Sequence, residues 1–328
     1  MRLLQRNFSR ICERGEGIMN STSETAVAAP GYEAAAAAGP QPGEALPDKL
    51  RRWVLGAAWS LMPPRTWGVP AALWMVASHY AGLRDTDEGM PDPENALTNP
   101  DGLAGICHDM GVESLMAGYR AGLFPFSHIG PQKWWAPGVR MVLALQNFHM
   151  EKNLRRRLRN RHFTVTFDAA FEDVVRGCGE PRPGHLNLTW ITPDVIKAYV
   201  ELHRAGHAHS VEVWDGEGNL AGGVYGIAAG QVFFTESQFA RQRDASKVGF
   251  ATLNCHLQNW GFVLNDGKYH NAHLARAGFE LMPRSQFNAL LARHCPAGGR
   301  RGPWAVDDTL DVGNWNPRAG LERNQKPT

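Results

Sequence analysis

The chain has 328 residues, long for one compact domain, and a prior of roughly 150 residues per domain points to about two. Its formal net charge of +2 excludes a global field for nucleic acid, so any such role has to rest on a local patch. Five cysteines, Cys12, Cys107, Cys178, Cys255 and Cys295, are odd in number, widely spaced and without CxxC pairs, which predicts reduced thiols in a cytoplasmic protein and no disulfide framework or zinc site.

The most apolar local run, 71–81, falls far short of the ~20 residues that span a bilayer, so no membrane partner is expected. Residues 20–48, rich in Ala, Gly, Pro and Ser/Thr, offer too little bulky apolar surface to offset ordering and read as a disordered linker. Met19 is an equally good start, and the segment before it reads as translated leader. Residues 51–82 carry Trp53, Trp59, Trp67 and Trp74 and read as a segment that docks on the main body. After a turn-rich lead-in over 84–100, a helix is predicted from Glu113 to Ala121, ended by Gly122. Leu123 to Ser127 then form a turn presenting aromatics, and Lys133 to Pro137 lead into a strand from Val139 to Leu143.

Lys152, Arg155, Arg156, Arg157, Arg159 and Arg161 wrap a helix bearing Leu154 and Leu158, either as a solvated face or as a ridge that contacts phosphates. Thr192-Pro193-Asp194 is a helix start with a capping hydroxyl, proline at the first position and an acid in the first turn, and Gly206 is its stop. Three strands follow: Ser210 to Trp214, Leu220 to Tyr225, and Val232 to Phe234, the last running into Thr235, Glu236, Ser237 and Gln238. From Asp244, read as a cap, the apolar period becomes helical through Val248, Ala251, Cys255 and Leu257. A short strand from Phe262 to Asn265 ends at Asp266. Beyond it are a helix over 271–277 with Gly278 as terminator, a last helix from about Arg284 to Arg293, and a Gly/Pro/Arg tail read as mobile.

Glu236 and Asp266 each follow an apolar strand, where a partly desolvated carboxylate can orient an amine or accept its proton, or merely cap a helix. His207 and His209 straddle a strand start and point to opposite faces, which argues against joint metal ligation. Phe126 and Trp190 are candidates to stack on a flat ring such as a nucleobase. The expected fold class is α+β: an N-acetyltransferase-like mixed sheet with flanking helices plus a smaller N-terminal α/β domain. A coenzyme A enzyme of that kind needs a Gly-rich turn for the pyrophosphate, but the position reads Arg241 to Ser246 with Asp244 opposing the phosphate charge. The acyl donor is therefore expected to be something else, with no cofactor and no metal.

Four blocks, FPFSHIGPQKWWAP, TWITPDVIKAYVELHRAGHAHSVEVWD, GGVYGIAAGQVFFTESQFARQRDASKV and HLARAGFELMPRSQF, resemble in order and spacing the leucyl/phenylalanyl-tRNA–protein transferases over about residues 90–290. The resemblance implies an enzyme that moves an aminoacyl group from the 3′ end of aminoacyl-tRNA, its co-substrate, onto an amine, by default the N-terminal Arg or Lys of a protein. Transfer to a small-molecule amine in specialised metabolism is the alternative. It also implies that Phe126 and Trp190 flank the terminal adenosine, that Glu236 is the pocket glutamate, and that Val224, Thr235, Gln238 and Phe239 line the aminoacyl pocket.

Departures from the family pattern put Lys268 where a glutamine is usual, Val224 and Gln238 where methionines are usual, and Thr235 where a glycine is usual. They imply a transferred amino acid that is smaller or more polar, since a Gln or Thr in an apolar pocket needs a hydrogen-bond partner. Within this reading Asp266 orients the attacking amine, Lys268 stabilises the oxyanion or binds an acceptor carboxylate, and Arg155, Arg156, Arg157 and Arg159 meet the tRNA backbone. The expected organisation is a disordered extension over 1–50, a Trp-rich segment over 51–88, a small N-terminal domain over 89–150, an acetyltransferase-like catalytic domain over 151–296 and a flexible tail over 297–328, in a monomer.

Overall fold

A computed structural model describes residues 44–62, 65–81, 89–181 and 188–319. The proposed disordered extension, apart from its last few residues, and the end of the proposed tail lie outside the described residues. In chain order the principal elements are α1 (Leu46–Ser60), α2 (Val69–Tyr80), β1 (Leu103–Ile106), α3 (Val112–Arg120), β2 (Phe124–Pro125), β3 (Lys133–Trp135), β4 (Val139–Ala144), α4 (Lys152–Arg159), β5 (Thr164–Phe167), α5 (Phe171–Gly179) and α6 (Pro193–Arg204). They continue with β6 (Ala208–Trp214), β7 (Leu220–Ala229), β8 (Val232–Ala240), α7 (Ala245–Asn259), β9 (Leu264–Asp266), α8 (Ala272–Arg276), β10 (Glu280–Pro283) and α9 (Arg284–His294). The architecture is mixed α and β.

A seven-stranded sheet runs in the order β10-β4-β9-β8-β7-β6-β5, and a small sheet in the order β1-β3-β2. Neighbours in the large sheet are antiparallel except β8 and β9, which are parallel. The β6–β7–β8 meander forms because Asp215-Gly216-Glu217-Gly218 and Gly230 supply turn chemistry between alternating apolar runs, with Gly218 and Gly230 both at positive φ. On one face lies α7, whose Val248, Phe250, Leu253 and Leu257 join Phe148, Phe233 and Trp304 in the core. Burying each such side chain contributes roughly 1.5–3 kcal/mol. On the other face α5, α6, α3 and α9 place Val174, Tyr199, Tyr119 and Phe287, all fully buried. Helix α6 begins as its sequence requires, with the Thr192 hydroxyl accepting from the Val195 N–H at 3.4 Å and proline at the first turn.

Several elements depart from the sequence reading. Strand β4, assigned to a small N-terminal domain ending at 150, pairs with both β9 and β10 and so belongs to the large sheet. Residues 301–319, read as flexible tail, are pinned: Trp304 is 2% exposed, donates its N–H to Asp168 at 2.7 Å and stacks on His209 at 3.6 Å between centroids. His209 itself bonds Asp168 at 2.8 Å through Nδ1, while its buried Nε2 has no hydrogen-bond partner among the described residues. Asp244 does not cap α7. It sits at φ 68 with no side-chain capping bond, its carboxylate drawn instead to Arg157 at 2.8 Å and Lys247 at 3.4 Å. Asp tolerates this left-handed conformation better than most residues. Of the Trp-rich segment, Arg52 donates to the His128 carbonyl at 2.5 Å, while Trp53, Trp67 and Trp74 are exposed.

Within β6, Glu212 is fully buried and accepts from Ser210, from the Thr166 hydroxyl at 2.6 Å and from the Ala169 N–H at 3.3 Å. Burial pushes its pKa above the usual carboxylate range, and the Asp168 charge adds to the rise. A carboxyl whose folded pKa lies above its unfolded value loses stabilisation as pH rises through that interval. Glu212→Gln should therefore gain stability relative to the parent as pH rises from the acid side to neutrality. Urea denaturation of both proteins across that range checks this; a constant difference refutes it.

Candidate active site

The centre of the site is made by an irregularity in β8. Tyr225 pairs with Ser237 and the next residue, Gly226, with Thr235, so Glu236 is the extra residue of a β-bulge. Gly226 permits it, because a Cβ there would lie 2.3 Å from the Phe234 carbonyl oxygen. The polar residues read as following the strand thus lie within it, and Glu236, alternating with Thr235, directs its side chain towards α3 and α6. There it has no exposed surface and accepts from Tyr119 at 2.7 Å and from Tyr199 at 3.1 Å, with Lys268 as its ion-pair partner. The two hydroxyls also touch at 2.6 Å. Two phenolic protons serve three contacts, so Tyr199 donates either to Glu236 or to Tyr119. Burial first, then the Glu236 charge, pushes both phenols well above their ordinary pKa and keeps them donors.

Asp266 lies in β9, beside β8. It is fully buried; both oxygens are taken by Arg140 of β4, one contact measuring 3.2 Å, and Oδ1 also accepts the Lys268 N–H at 3.0 Å. These bonds leave Asp266 no free oxygen for an incoming amine, contrary to the role expected of it. Instead it fastens the turn that carries Lys268 at φ 64. Arg140 is locked in turn, donating to the Gly122 carbonyl at 2.8 Å with its guanidinium over Phe124 at 5.0 Å and Phe287 at 4.7 Å. Lys268 reaches Glu236 across the Phe124 ring, 5.0 Å from its centroid. Burial lowers the Lys268 pKa while the neighbouring Glu236 charge works to raise it.

Phe126 and Trp190 come together, with centroids 5.7 Å apart and planes at 48°. A base held between two rings needs about 7 Å between parallel planes, twice the ~3.5 Å van der Waals spacing, so the pair as it stands is a platform and not a slot. Trp190 meets Tyr199 at 6.2 Å, which links the platform to the Glu236 cluster. The four aminoacyl-pocket residues are not brought to one place. Val224 is buried in the core beneath α7, and Gln238 is its register partner. The Thr235 hydroxyl bonds Asn265 at 2.8 Å, and Asn265 bonds Asn254 of α7 at 3.0 Å. Phe239 packs on the opposite face, so tightly that a Cβ on Gly177 of α5 would lie 2.7 Å from its ring.

The arginines of α4 divide likewise. Arg155 donates to the Trp315 carbonyl at 2.8 Å and Arg157 pairs with Asp244, whereas Arg156 and Arg159 are exposed. Arg156, Arg157, Asn160 and His162 line a shallow depression.

Sequence reasoning missed Arg140, Tyr119 and Tyr199. An arginine inside the apolar run Val139 to Ala144 was the available signal for the first; both tyrosines occupy apolar helical positions and read as core.

The family model described as leucyl/phenylalanyl-tRNA protein transferase matches residues 142–292. A leucyl/phenylalanyl-tRNA–protein transferase of Pseudomonas syringae pv. syringae is 47% identical over 205 residues, 62% of this chain and 89% of that protein. One of Stutzerimonas stutzeri is 46% identical over 213 residues, 65% of this chain and 93% of that protein. Among solved structures, that of FemX aligns with a TM-score of 0.36 at 14% identity, covering 45% of this chain and 60% of that one.

The Arg140–Asp266 pair has a measurable consequence. Arg140→Met strands a buried carboxylate and should cost about 3–5 kcal/mol. Adding Asp266→Asn should return much of that loss. Chemical denaturation of the single and double variants tests this, and a double variant no more stable than Arg140→Met contradicts it.

Proposed function

The chain belongs to the leucyl/phenylalanyl-tRNA–protein transferase family and is an aminoacyl-tRNA-dependent acyltransferase, and on that premise we propose that it transfers an aminoacyl group from the 3′ end of tRNA to the N-terminal amine of a protein. The observation that carries the reading is Glu236, buried on its bulge and held by two phenols and an ammonium beside an aromatic platform. We read the mixed sheet around its parallel β8–β9 step as N-acetyltransferase-like.

Ester-to-amide exchange runs downhill, so the protein's task is to place a neutral amine against the ester carbonyl and to stabilise the oxyanion. The terminal adenosine rests on Trp190 and Phe126, which brings its ester towards Tyr199. Lys268, held by Asp266, offers an N–H to the developing oxyanion, and the Lys268–Glu236 pair takes up the proton that the attacking amine releases and passes it to the ribose oxygen that leaves with the tRNA as the ester C–O bond breaks. Asp266 and Arg140 are positioning residues. The Thr235 hydroxyl is satisfied internally and makes no demand on the substrate. No cofactor enters this scheme. An N-terminal Arg or Lys on the acceptor is what the resemblance implies.

Incubation with a mixture of charged tRNAs and a peptide should yield an aminoacylated peptide, and ribonuclease should abolish it. Undiminished acylation from an acyl-coenzyme A after ribonuclease treatment would overturn the reading. A labelled small amine with no labelled peptide would move the acceptor to specialised metabolism.

The exposed Arg156 and Arg159 are proposed to meet the tRNA backbone, with Arg157 and Arg155 chiefly shaping the helix that carries them. Alanine at Arg156 and Arg159 should weaken tRNA binding and flatten its salt dependence by up to about one unit of slope per lost phosphate contact. Binding isotherms over a salt series measure both quantities. Unchanged affinity and slope would return the ridge to a solvated face.

A further inference from the structure

We infer that the acceptor amine is carried by a first residue that brings no positive charge, because this chain supplies from within the cation that a basic acceptor residue would bring. The inference rests on the transferase reading above and specifies the substrate of the same site.

An ester seated beside Trp190 lies next to Tyr199 and hence to Glu236, so the attacking amine and the side chain next to it must enter this neighbourhood. The charges that bear on Lys268 here are Glu236, Asp266 and Arg140. The two carboxylates are matched by two cations. Glu236 has no exposed side-chain surface, and Tyr119, Tyr199 and Lys268 already lie against its two oxygens. Asp266 is fully buried and receives Arg140 twice and the Lys268 N–H. Every oxygen of the two carboxylates already has a partner, so an incoming guanidinium or ammonium finds no unpaired one.

What a basic acceptor residue would meet is the wrong sign. Of the Lys268–Glu236 pair, the lysine keeps the exposed surface, 10% of its side chain against none for the glutamate. A second cation entering there would leave water without a counter-charge and would be repelled by the ammonium, two penalties that an uncharged side chain avoids. The lysine cannot swing aside freely. Its backbone is fixed at φ 64 by the bond to Asp266, and its ammonium is held against the Phe124 ring at 5.0 Å. Lys268 is thus a specificity residue as well as a participant in the transfer step, and it stands where the family resemblance expects a neutral glutamine.

The test uses the full-length protein, a mixture of charged tRNAs, and peptides identical except for a first residue of Met, Leu, Ala, Arg or Lys, with transfer read as the added aminoacyl mass. The parent should label the Met, Leu and Ala peptides at least about tenfold faster than the Arg and Lys peptides. Lys268→Gln should shift that ratio towards Arg and Lys by roughly tenfold or more, whatever it does to the absolute rate. A parent that prefers the Arg or Lys peptide overturns the inference without needing the variant, and so does a ratio that the variant leaves unchanged. If no peptide is labelled while charged tRNA still binds, the protein-acceptor reading itself fails and the inference falls with it.

Discussion

A guanidinium and a carboxylate withdrawn from water between two strands hold the candidate site in place. Arg140 comes from β4 and Asp266 from β9, elements separated by 126 residues that the sheet makes neighbours. A buried pair of this kind contributes little net stability relative to an apolar replacement, but it tolerates no partial loss. Its value lies in geometry: Arg140 also reaches the Gly122 carbonyl at the end of α3, so one side chain ties the small-sheet region to the large sheet. The turn carrying Lys268 is set by the same carboxylate.

Around this anchor the polar groups are arranged in layers of decreasing commitment. Asp266 and Arg140 are fully enclosed and satisfied, and Lys268 and Glu236 form a second pair in which the lysine keeps a little exposed surface. The half-buried rings of Phe126 and Trp190 form the outermost layer. A low-dielectric setting strengthens each interaction and makes any unpaired group costly, which is why the phenols of Tyr119 and Tyr199 accompany the glutamate. Along β8 the glutamate alternates with Thr235, which faces α7, and the β-bulge leaves it as the residue without a register partner on β7.

The arginine helix shows the same division between support and display. Two of its guanidiniums are used internally, one on the chain segment around Trp315 and one on Asp244 at the start of α7. The remaining exposed charge is fixed relative to the sheet, a condition for a backbone-contacting surface to set register on a nucleic acid.

The sequence by itself determined the local grammar: the β6–β7–β8 meander from alternation and turn residues, α6 from Thr192 and Pro193, and α7 from helical periodicity; it also singled out Glu236, Asp266 and Lys268 as candidates. These follow from interactions within a few residues along the chain. It did not determine that Glu236 lies inside a strand, that Phe239 faces away from Val224, or that Trp304 is buried, because a bulge and a packing face are settled by the partner strand. Least legible were Arg140, Tyr119 and Tyr199. A tyrosine on an apolar helical face looks like core until a carboxylate from more than a hundred residues away, as Glu236 is from Tyr119, arrives at its hydroxyl. Only the tertiary structure decided which charges cancel, since desolvation and pairing depend on spatial neighbours and not on spacing along the chain.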